Sequence, residues 1–310
     1  MRDTKHRALL LLPLWGACFL PDLSSKPCKD SSGCLTGYFC DTSRGTAAAI
    51  GYCTEGTLEG QGGSGVTPAV EVEVAGGDFT IGSSAGDTYT LKMTPNVSLS
   101  VSRFFMDDRE VTVAAYRACV NAGYCTRPHS AEEGLSGSSP CNYDAPGRES
   151  YPVNCVEYEQ AKKYCASLGR RLPTETEWEF AAVGATVAIG LKYPWGSTFD
   201  AAKACFNNIQ PTCPVASKVK TKGGVEVSGS SPGFYDLAGN VWEWTDSQPC
   251  SYTSQMMPCS SQDDRVIRGG SGLDTEADVL RATVRVSRQI GNFPSSGWDR
   301  KLGFRCARTP

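Results

Sequence analysis

Histidine is scarce in this chain of 310 residues, where only His6 and His129 occur. His6 lies in an N-terminal segment that we expect to be removed, so the mature chain keeps one histidine. One imidazole cannot build a three-histidine metal centre, and a serine or cysteine triad would have to use His129. Because His129 stands in the polar stretch 127–130, we expect it in a solvated loop. The scarcity argues against both classes of site.

An excess of positive charge is also missing. The chain has 30 Lys and Arg against 33 Asp and Glu, which gives a formal net charge of −3. No basic field is therefore available to hold nucleic acid, and nucleic acid is not an expected partner. The 40% content of hydrophobic residues is nevertheless enough for one large domain with a core and a small appendage.

The apolar run that follows the basic N-terminus is too short to span a bilayer. Its layout predicts a signal peptide over residues 1–17 and an exported protein. The sequence Gly-Ala-Cys that ends at Cys18 resembles the bacterial lipoprotein cleavage box, in which the cysteine becomes the lipid-bearing N-terminus. We therefore expect lipidation at Cys18, an anchor segment over residues 18–27 and a place in the bacterial cell envelope. Trp15 departs from the Leu usual in that box, so an ordinary secretory signal is the alternative.

The chain has 15 cysteines, and setting Cys18 aside leaves an even number that could all be paired in an oxidising envelope. Residues 28–53 form a small cysteine-rich module with too few apolar residues for a core, so two disulfides should stabilise it. Three pairings remain open among its cysteines, which are Cys28, Cys34, Cys40 and Cys53. A Gly-rich linker over residues 54–68 follows, and a large domain over residues 69–310 completes the chain.

Periodicity in the large domain predicts a strand over residues 70–74 and helices over residues 113–122 and 156–168. Thr174 and Glu177 form a capping box that predicts a third helix. The acidic residues of its first turns are explained by the helix dipole and are not interpreted as catalytic; they are Glu175, Glu177 and Glu179. Four cysteines flank the first helix and should pair among themselves, in an order that the sequence leaves open: Cys119, Cys125, Cys141 and Cys155. Cys205 with Cys213, and Cys250 with Cys259, would make short local disulfides.

The most informative stretch covers residues 233–244. Its first half contains the turn formers Asp236, Gly239 and Asn240, and its second half alternates like a short strand. Asp236, Asn240 and Glu243 place side-chain oxygens in one short loop, which is what calcium requires. The alternative is a plain turn in which Asp and Asn accept hydrogen bonds from local amides.

Residues 233–244 resemble the signature of the formylglycine-generating enzyme, or sulfatase-modifying factor, family. Further stretches match motifs of the same family, in the order in which the family has them. They are residues 76–82, 108–112, 170–179, 193–196, 268–271 and 302–306. The resemblance implies an irregular, loop-rich, C-type-lectin-like α+β fold. It also implies a disulfide between Cys165 and Cys306.

The same resemblance implies one calcium ion, held by side-chain oxygens of Asp236 and Glu243 and by backbone carbonyls of Gly239 and Val241. A second family calcium site begins at a motif like residues 208–209, but the acidic stretch that completes it is missing here. We do not expect the second site.

Family members oxidise a cysteine in a sulfatase peptide with two cysteine thiolates that bind copper(I). The matching segment, residues 269–281, contains no cysteine; Asp274 stands at the first position, and Val279 or its neighbour stands at the second. A hard carboxylate does not replace thiolates on copper(I), so copper is not expected and the oxidase chemistry should be lost. Lys301 also stands where many relatives carry Asn.

Four residues match positions that line or neighbour the family's groove: Trp242, Ser271, Arg281 and Arg285. Two interpretations stay open for them: they bind an unidentified peptide, protein or glycan, or they are core residues that tie a loop-rich fold together. The sequence thus favours an exported, lipid-anchored or secreted protein that acts in recognition or structure. The alternatives are a formylglycine-generating oxidase, or a hydrolase or transferase that uses Asp274, Glu276 and Asp278.

Overall fold

The computed structural model describes residues 69–82, 97–129, 141–185, 191–208, 210–228, 230–250, 262–291 and 299–310. Within residues 28–53 and just before them it describes only the main chain of three short strands. The described part is α+β and rich in loops, which confirms the predicted fold class. The signal peptide, Cys18 and residues 56–68 of the predicted Gly-rich linker lie outside the described residues, since the last described strand of this region ends at Glu55.

The described residues contain three α-helices, α1 (Val113–Asn121), α2 (Tyr158–Ser167) and α3 (Glu175–Val183). The side chain of Thr174 accepts the amide of Glu177, and the carboxylate of Glu177 accepts the amide of Thr174, so the predicted capping box is confirmed. Helix α2 begins two residues later than predicted. The reason is a second capping box. Glu157 stands just before the helix, and the side-chain oxygen of Gln160 accepts a hydrogen bond from the backbone amide of Glu157.

The strands are short, with none longer than five residues in the described part. In chain order they are β1 (Pro27–Cys28), β2 (Tyr38–Asp41), β3 (Gly51–Glu55), β4 (Glu71–Val74), β5 (Gly77–Ile81), β6 (Val97–Val101), β7 (Phe104–Asp107), β8 (Lys220–Lys222), β9 (Val225–Glu226), β10 (Phe234–Tyr235), β11 (Trp242–Trp244), β12 (Asp264–Arg268), β13 (Arg285–Gln289), β14 (Leu302–Gly303) and β15 (Ala307–Arg308). Loops make up most of the other described residues.

Two small sheets position the central site. One has the order β13-β12-β11-β14, with β11 antiparallel to β12 and parallel to β14. The other has the order β15-β7-β4, with antiparallel pairing throughout. Because β14 and β15 are separated by only a few residues, the C-terminal segment links the two sheets. The other small sheets are a pair of β5 with β6, a sheet in which β8 lies between β10 and β9, and a sheet in which β3 lies between β1 and β2.

The core forms two main clusters. One lies between α1, α2 and the central sheet and includes Tyr116, Tyr164 and Trp244. The other packs α3 against β4, β5 and β7 through residues such as Trp178 and Phe180. Both clusters reach the segment 242–244, so this segment lies where they meet.

The disulfides agree with the sequence where both partners are described. Cys165 and Cys306 are bonded, which joins α2 to the last strands across 141 positions of sequence. The four cysteines around α1 pair as Cys119 with Cys125 and Cys141 with Cys155, and Cys205 pairs with Cys213. Cys250 is also disulfide-bonded, but its expected partner Cys259 lies outside the described residues.

None of the helices in the described ranges combines the length and the apolar character that crossing a membrane requires.

Candidate functional site

Asp274, which stands at the first copper-ligand position of the family, is enclosed by hydrogen-bond donors. Its Oδ2 atom accepts the amide of Ser271 at 2.8 Å, the hydroxyl of Ser271 at 2.9 Å and the indole Nε1 of Trp242 at 2.9 Å. Its Oδ1 atom accepts the Nζ of Lys301 at 2.6 Å. Both oxygens of the carboxylate are therefore used within the protein.

The local chain explains why these residues meet. The amide of Asp274 donates to the carbonyl of Ser271, which makes a tight turn after β12. Trp242 lies opposite Leu302 in the parallel pairing of β11 with β14, so Lys301 and Trp242 come to the same end of the two strands. The sheet register and the turn together place the ion pair beside the indole.

Burial distinguishes the inner and outer parts of this cluster. Trp242 is 1% exposed and Ser271 is 0% exposed, whereas the side chains of Asp274 and Lys301 keep 11% and 20% exposure. Solvent therefore reaches the ion pair and not the two residues predicted to line a groove. A hard carboxylate already bound to an ammonium group is a poor ligand for copper(I), so the donor set does not fit that metal.

The other two predicted groove residues have separate partners. The Nε atom of Arg281 donates to Oδ1 of Asp278 at 2.6 Å. Arg285 donates to a carboxylate oxygen of Glu175 at 2.7 Å and to the carbonyl of Cys250 at 2.9 Å. The structure thus brings Trp242 and Ser271 together on Asp274, and it places Arg281 and Arg285 in ion pairs of their own.

The predicted calcium residues lie in a loop that contains three residues with left-handed backbone. Asp236 and Asn240 have φ angles of 58° and 61°, a conformation that Asp and Asn tolerate better than most residues. Gly239 has a φ of 84°, and a Cβ there would lie 2.3 Å from the carbonyl oxygen of Cys205. The Gly-Asn pair is therefore required by a close approach of two backbone segments.

Asp236 and Glu243 differ in how much of each carboxylate is used. Asp236 accepts the amide of Ala216 at 2.7 Å through Oδ2, while its buried Oδ1 has no hydrogen-bond partner. Glu243 accepts Nε and Nη2 of Arg305 at 2.7 and 2.6 Å, and the indole of Trp178 at 2.9 Å. Asp236 therefore offers an oxygen to an ion, whereas both oxygens of Glu243 are engaged.

A third carboxylate, Glu110, lies in the same buried region. It accepts Nδ2 of Asn240 at 2.5 Å and the amide of Val241 at 3.2 Å. Burial, together with the negative charges of Asp236 and Glu243, raises the pKa of the Glu110 carboxyl well above its ordinary value. Burial also raises the pKa of Asp236 to about 6.

In the described ranges, no three His, Cys, Asp or Glu side chains are arranged to hold a metal ion. Of the four predicted ligands, Asp236 is the one with a free side-chain oxygen. An ion there would use Asp236 together with the carbonyls of Gly239 and Val241, and it would share Glu243 with Arg305. The fit to calcium rests on the orphaned oxygen of Asp236.

The sequence interpretation missed a buried ionic cluster. Glu175 and Glu179 lie in α3 and are fully buried, and both pair with Arg268. Arg285 shares Glu175, and the other oxygen of Glu179 accepts the amide of Gly82. The helix-dipole explanation was therefore incomplete, because it took no account of arginines far along the chain.

His129 lies in a loop, as expected. Its Nε2 lies 2.7 Å from a carboxylate oxygen of Glu157, the residue that caps α2, and its side chain is only partly exposed. A polar loop sequence gave no sign of that partner.

Comparison with known proteins agrees with this architecture. Treponema denticola variable protein 1 has a TM-score of 0.57 and 22% identity, and the alignment covers 82% of this chain and 99% of that one. PvdO from Pseudomonas aeruginosa has a TM-score of 0.56 and 21% identity, over 77% of this chain and 94% of the other. At such identities these structures establish the fold alone.

Two sequence relatives carry the name of a formylglycine-generating enzyme. Formylglycine-generating enzyme of Bos taurus is 27% identical over 336 residues, which covers 93% of this chain and 88% of the relative. Inactive C-alpha-formylglycine-generating enzyme 2 of Bos taurus is 42% identical over 166 residues, which covers 51% of this chain and 50% of the relative. The chain thus spans about half the length of that inactive relative.

The fold and the motifs around residues 236–244 define a sulfatase-modifying-factor type of domain. The sequence model of the Sulfatase-modifying factor enzyme 1-like domain matches residues 62–310, and the chain belongs to this FGE-sulfatase family.

The buried Asp107 gives a testable pH dependence. Burial raises the pKa of Asp107 to about 6, against the opposing effect of Arg170. The folded protein therefore takes up a proton near pH 6 that the unfolded chain takes up only near pH 4, so its stability should rise as the pH falls. Between pH 7 and 5 this group should add about 1 kcal/mol to the free energy of unfolding.

Urea unfolding of the wild type and of Asp107→Asn, at several pH values, measures this effect. The variant should lack that part of the increase, and identical pH profiles would contradict the assignment.

Proposed function

We propose that this protein is a member of the family without oxidase activity, which acts by binding or as a structural component of the bacterial envelope. Its ligand is a peptide, a protein or a glycan. The observation that carries the proposal is the ion pair between Asp274 and Lys301, because the family resemblance assigns the position of Asp274 to a copper(I) ligand. The site is closed by the chain's own side chains, so a reacting cysteine has neither metal nor thiolate there.

Two further observations support the loss of chemistry. All cysteines with described side chains are disulfide-bonded, so this part of the chain provides no thiol pair. A relative with 42% identity is named as an inactive formylglycine-generating enzyme. A domain of this family can therefore exist without the activity.

The first test measures the chemistry directly. The mature protein with native disulfides should show no copper(I)-dependent conversion of a sulfatase-derived cysteine peptide to its aldehyde by mass spectrometry. It should also show no stoichiometric copper(I) binding to free thiols. The related Streptomyces coelicolor formylglycine-generating enzyme, which is 29% identical, serves as the positive control. Aldehyde formation by this chain would support the alternative, an oxidase with ligands elsewhere.

We also propose that calcium binds at Asp236 and stabilises the loop. At about 100 times its Kd the ion should add about 2.7 kcal/mol of stability, or roughly 5–10 °C in Tm. Asp236→Ala should abolish this increase, while the exposed Asp78→Ala should retain it. Thermal unfolding with calcium and with chelator measures both. An Asp236→Ala protein that still gains Tm with calcium would refute the site.

Export and a lipid anchor at Cys18 are further parts of the proposal. They are supported by the basic start, the short apolar run and the Gly-Ala-Cys sequence. In a bacterial host that processes lipoproteins, Cys18→Ser should shift the protein from the membrane fraction to the soluble fraction of the envelope. Fractionation and mass spectrometry of the N-terminus measure this. Unchanged membrane association of the variant would contradict lipidation.

A further inference from the structure

Strand β4 has a free edge. In its sheet it pairs with β7 on one side only, and no other described strand lies on its outer side. The hydrogen bonds fix which residues face outward. The backbone amide of Asp107 donates to the carbonyl of Cys306, on the side of β15. The backbone amide of Asp108 donates to the carbonyl of Val70, on the side of β4.

Because ladder bonds alternate in an antiparallel pair, Val72 and Val74 use their backbone groups toward β7. The backbone amides and carbonyls of Glu71 and Glu73 therefore point outward.

A cavity of about 750 Å³ runs beside this edge. Its lining includes the length of β4, the apolar side chains Phe180 and Phe234, and the turn of the β8–β9 hairpin at Lys222 and Gly223. Val70, at the beginning of β4, also lines it and is 57% exposed. An apolar cleft next to unpaired backbone groups is the arrangement that an added strand uses.

Two glycines, Gly184 and Gly223, form part of the cavity wall opposite β4. A Cβ on Gly184, at the end of α3, would lie 2.8 Å from the Cα of Gly223. Gly184 also has a φ of 78°, which favours glycine. The end of α3 and the β8–β9 turn therefore meet backbone to backbone, and this wall presents few side chains to the cavity.

The charges around the cavity are unbalanced. Each acidic side chain that lines it is paired with an arginine: Glu71 with Arg308, Glu73 with Arg103 and Asp108 with Arg109. Lys222 also lines the cavity, is exposed, and has no ion pair with any described acidic residue. An uncompensated ammonium group at the rim favours a carboxylate on the incoming chain.

We propose that the edge of β4 and the adjoining cavity bind an extended acidic segment of a partner protein. Its backbone pairs with Glu71 and Glu73, its apolar side chains enter the cavity, and a carboxylate contacts Lys222. This surface is separate from the Asp274–Lys301 pair, so the inference does not depend on the loss of oxidase chemistry.

The probe is the synthetic peptide acetyl-Thr-Val-Glu-Val-Thr-amide, with a version that carries Lys in place of Glu and a version with N-methylated valines. Titration into the ¹⁵N-labelled mature chain, followed by NMR, should shift the amides of Glu71 and Glu73 with the acidic peptide. The N-methylated peptide should not bind, because it cannot donate the ladder bonds. The acidic peptide should bind more tightly than the Lys version.

Two variants, each with a matched control, sharpen this test. Lys222→Glu should weaken binding of the acidic peptide roughly fivefold to tenfold and favour the Lys version. Lys163→Glu makes the same charge change on exposed α2 and should leave the affinity unchanged. Glu73→Pro removes an outward amide without breaking a bond to β7 and should abolish binding, whereas Glu73→Ala should not.

The proposal is overturned by any of three results. The first is an absence of shifts along β4 at millimolar peptide. The second is equal binding of the N-methylated peptide. The third is concentration-dependent dimerisation in sedimentation that shifts the same amides without peptide, which would assign the edge to a second copy of the chain.

Discussion

The buried pair of Arg305 and Glu243 holds the parts of this fold together. Both side chains are fully buried, and removing one partner of such a pair typically costs about 3–5 kcal/mol because the other charge stays desolvated. Arg305 also donates to the carbonyls of Asp107 in β7 and Tyr235 in β10, and Glu243 accepts the indole of Trp178 from α3. The pair of Arg305 and Glu243 thus fixes three sheets and a helix relative to one another. The strands are too short for their own backbone hydrogen bonds to do this.

The features that the sequence predicted are those encoded by neighbouring residues. The cap at Thr174 depends on Glu177 three positions later, and the turn at Gly239 and Asn240 uses two neighbouring residue types that tolerate a positive φ. The pairing of Cys165 with Cys306 spans the domain, and it followed from family resemblance and not from spacing. Local sequence patterns therefore predicted the helices and the central loop. The family resemblance predicted the disulfide that joins distant parts of the chain.

What the sequence could not show is which distant charges meet. Arg268 lies 93 positions from Glu175, and nothing in either segment names the other. Without that partner, a helix with three acidic residues looks solvated, whereas the structure buries two of them. The same limit applied to Lys301, which the sequence marked only as a departure from Asn, although its partner Asp274 lies 27 positions away.

The pair of Asp274 and Lys301 also explains how chemistry can be lost without loss of the fold. Ser271 and Trp242 are buried donors that need an acceptor, and Asp274 supplies one where the family has a thiolate. The carboxylate is only slightly exposed to solvent, so an uncompensated charge there would be costly, and Lys301 compensates it. The two replacements are therefore physically coupled. Arg305 and Glu243 belong to neither, so the scaffold can remain intact while the reactive sulfurs are gone.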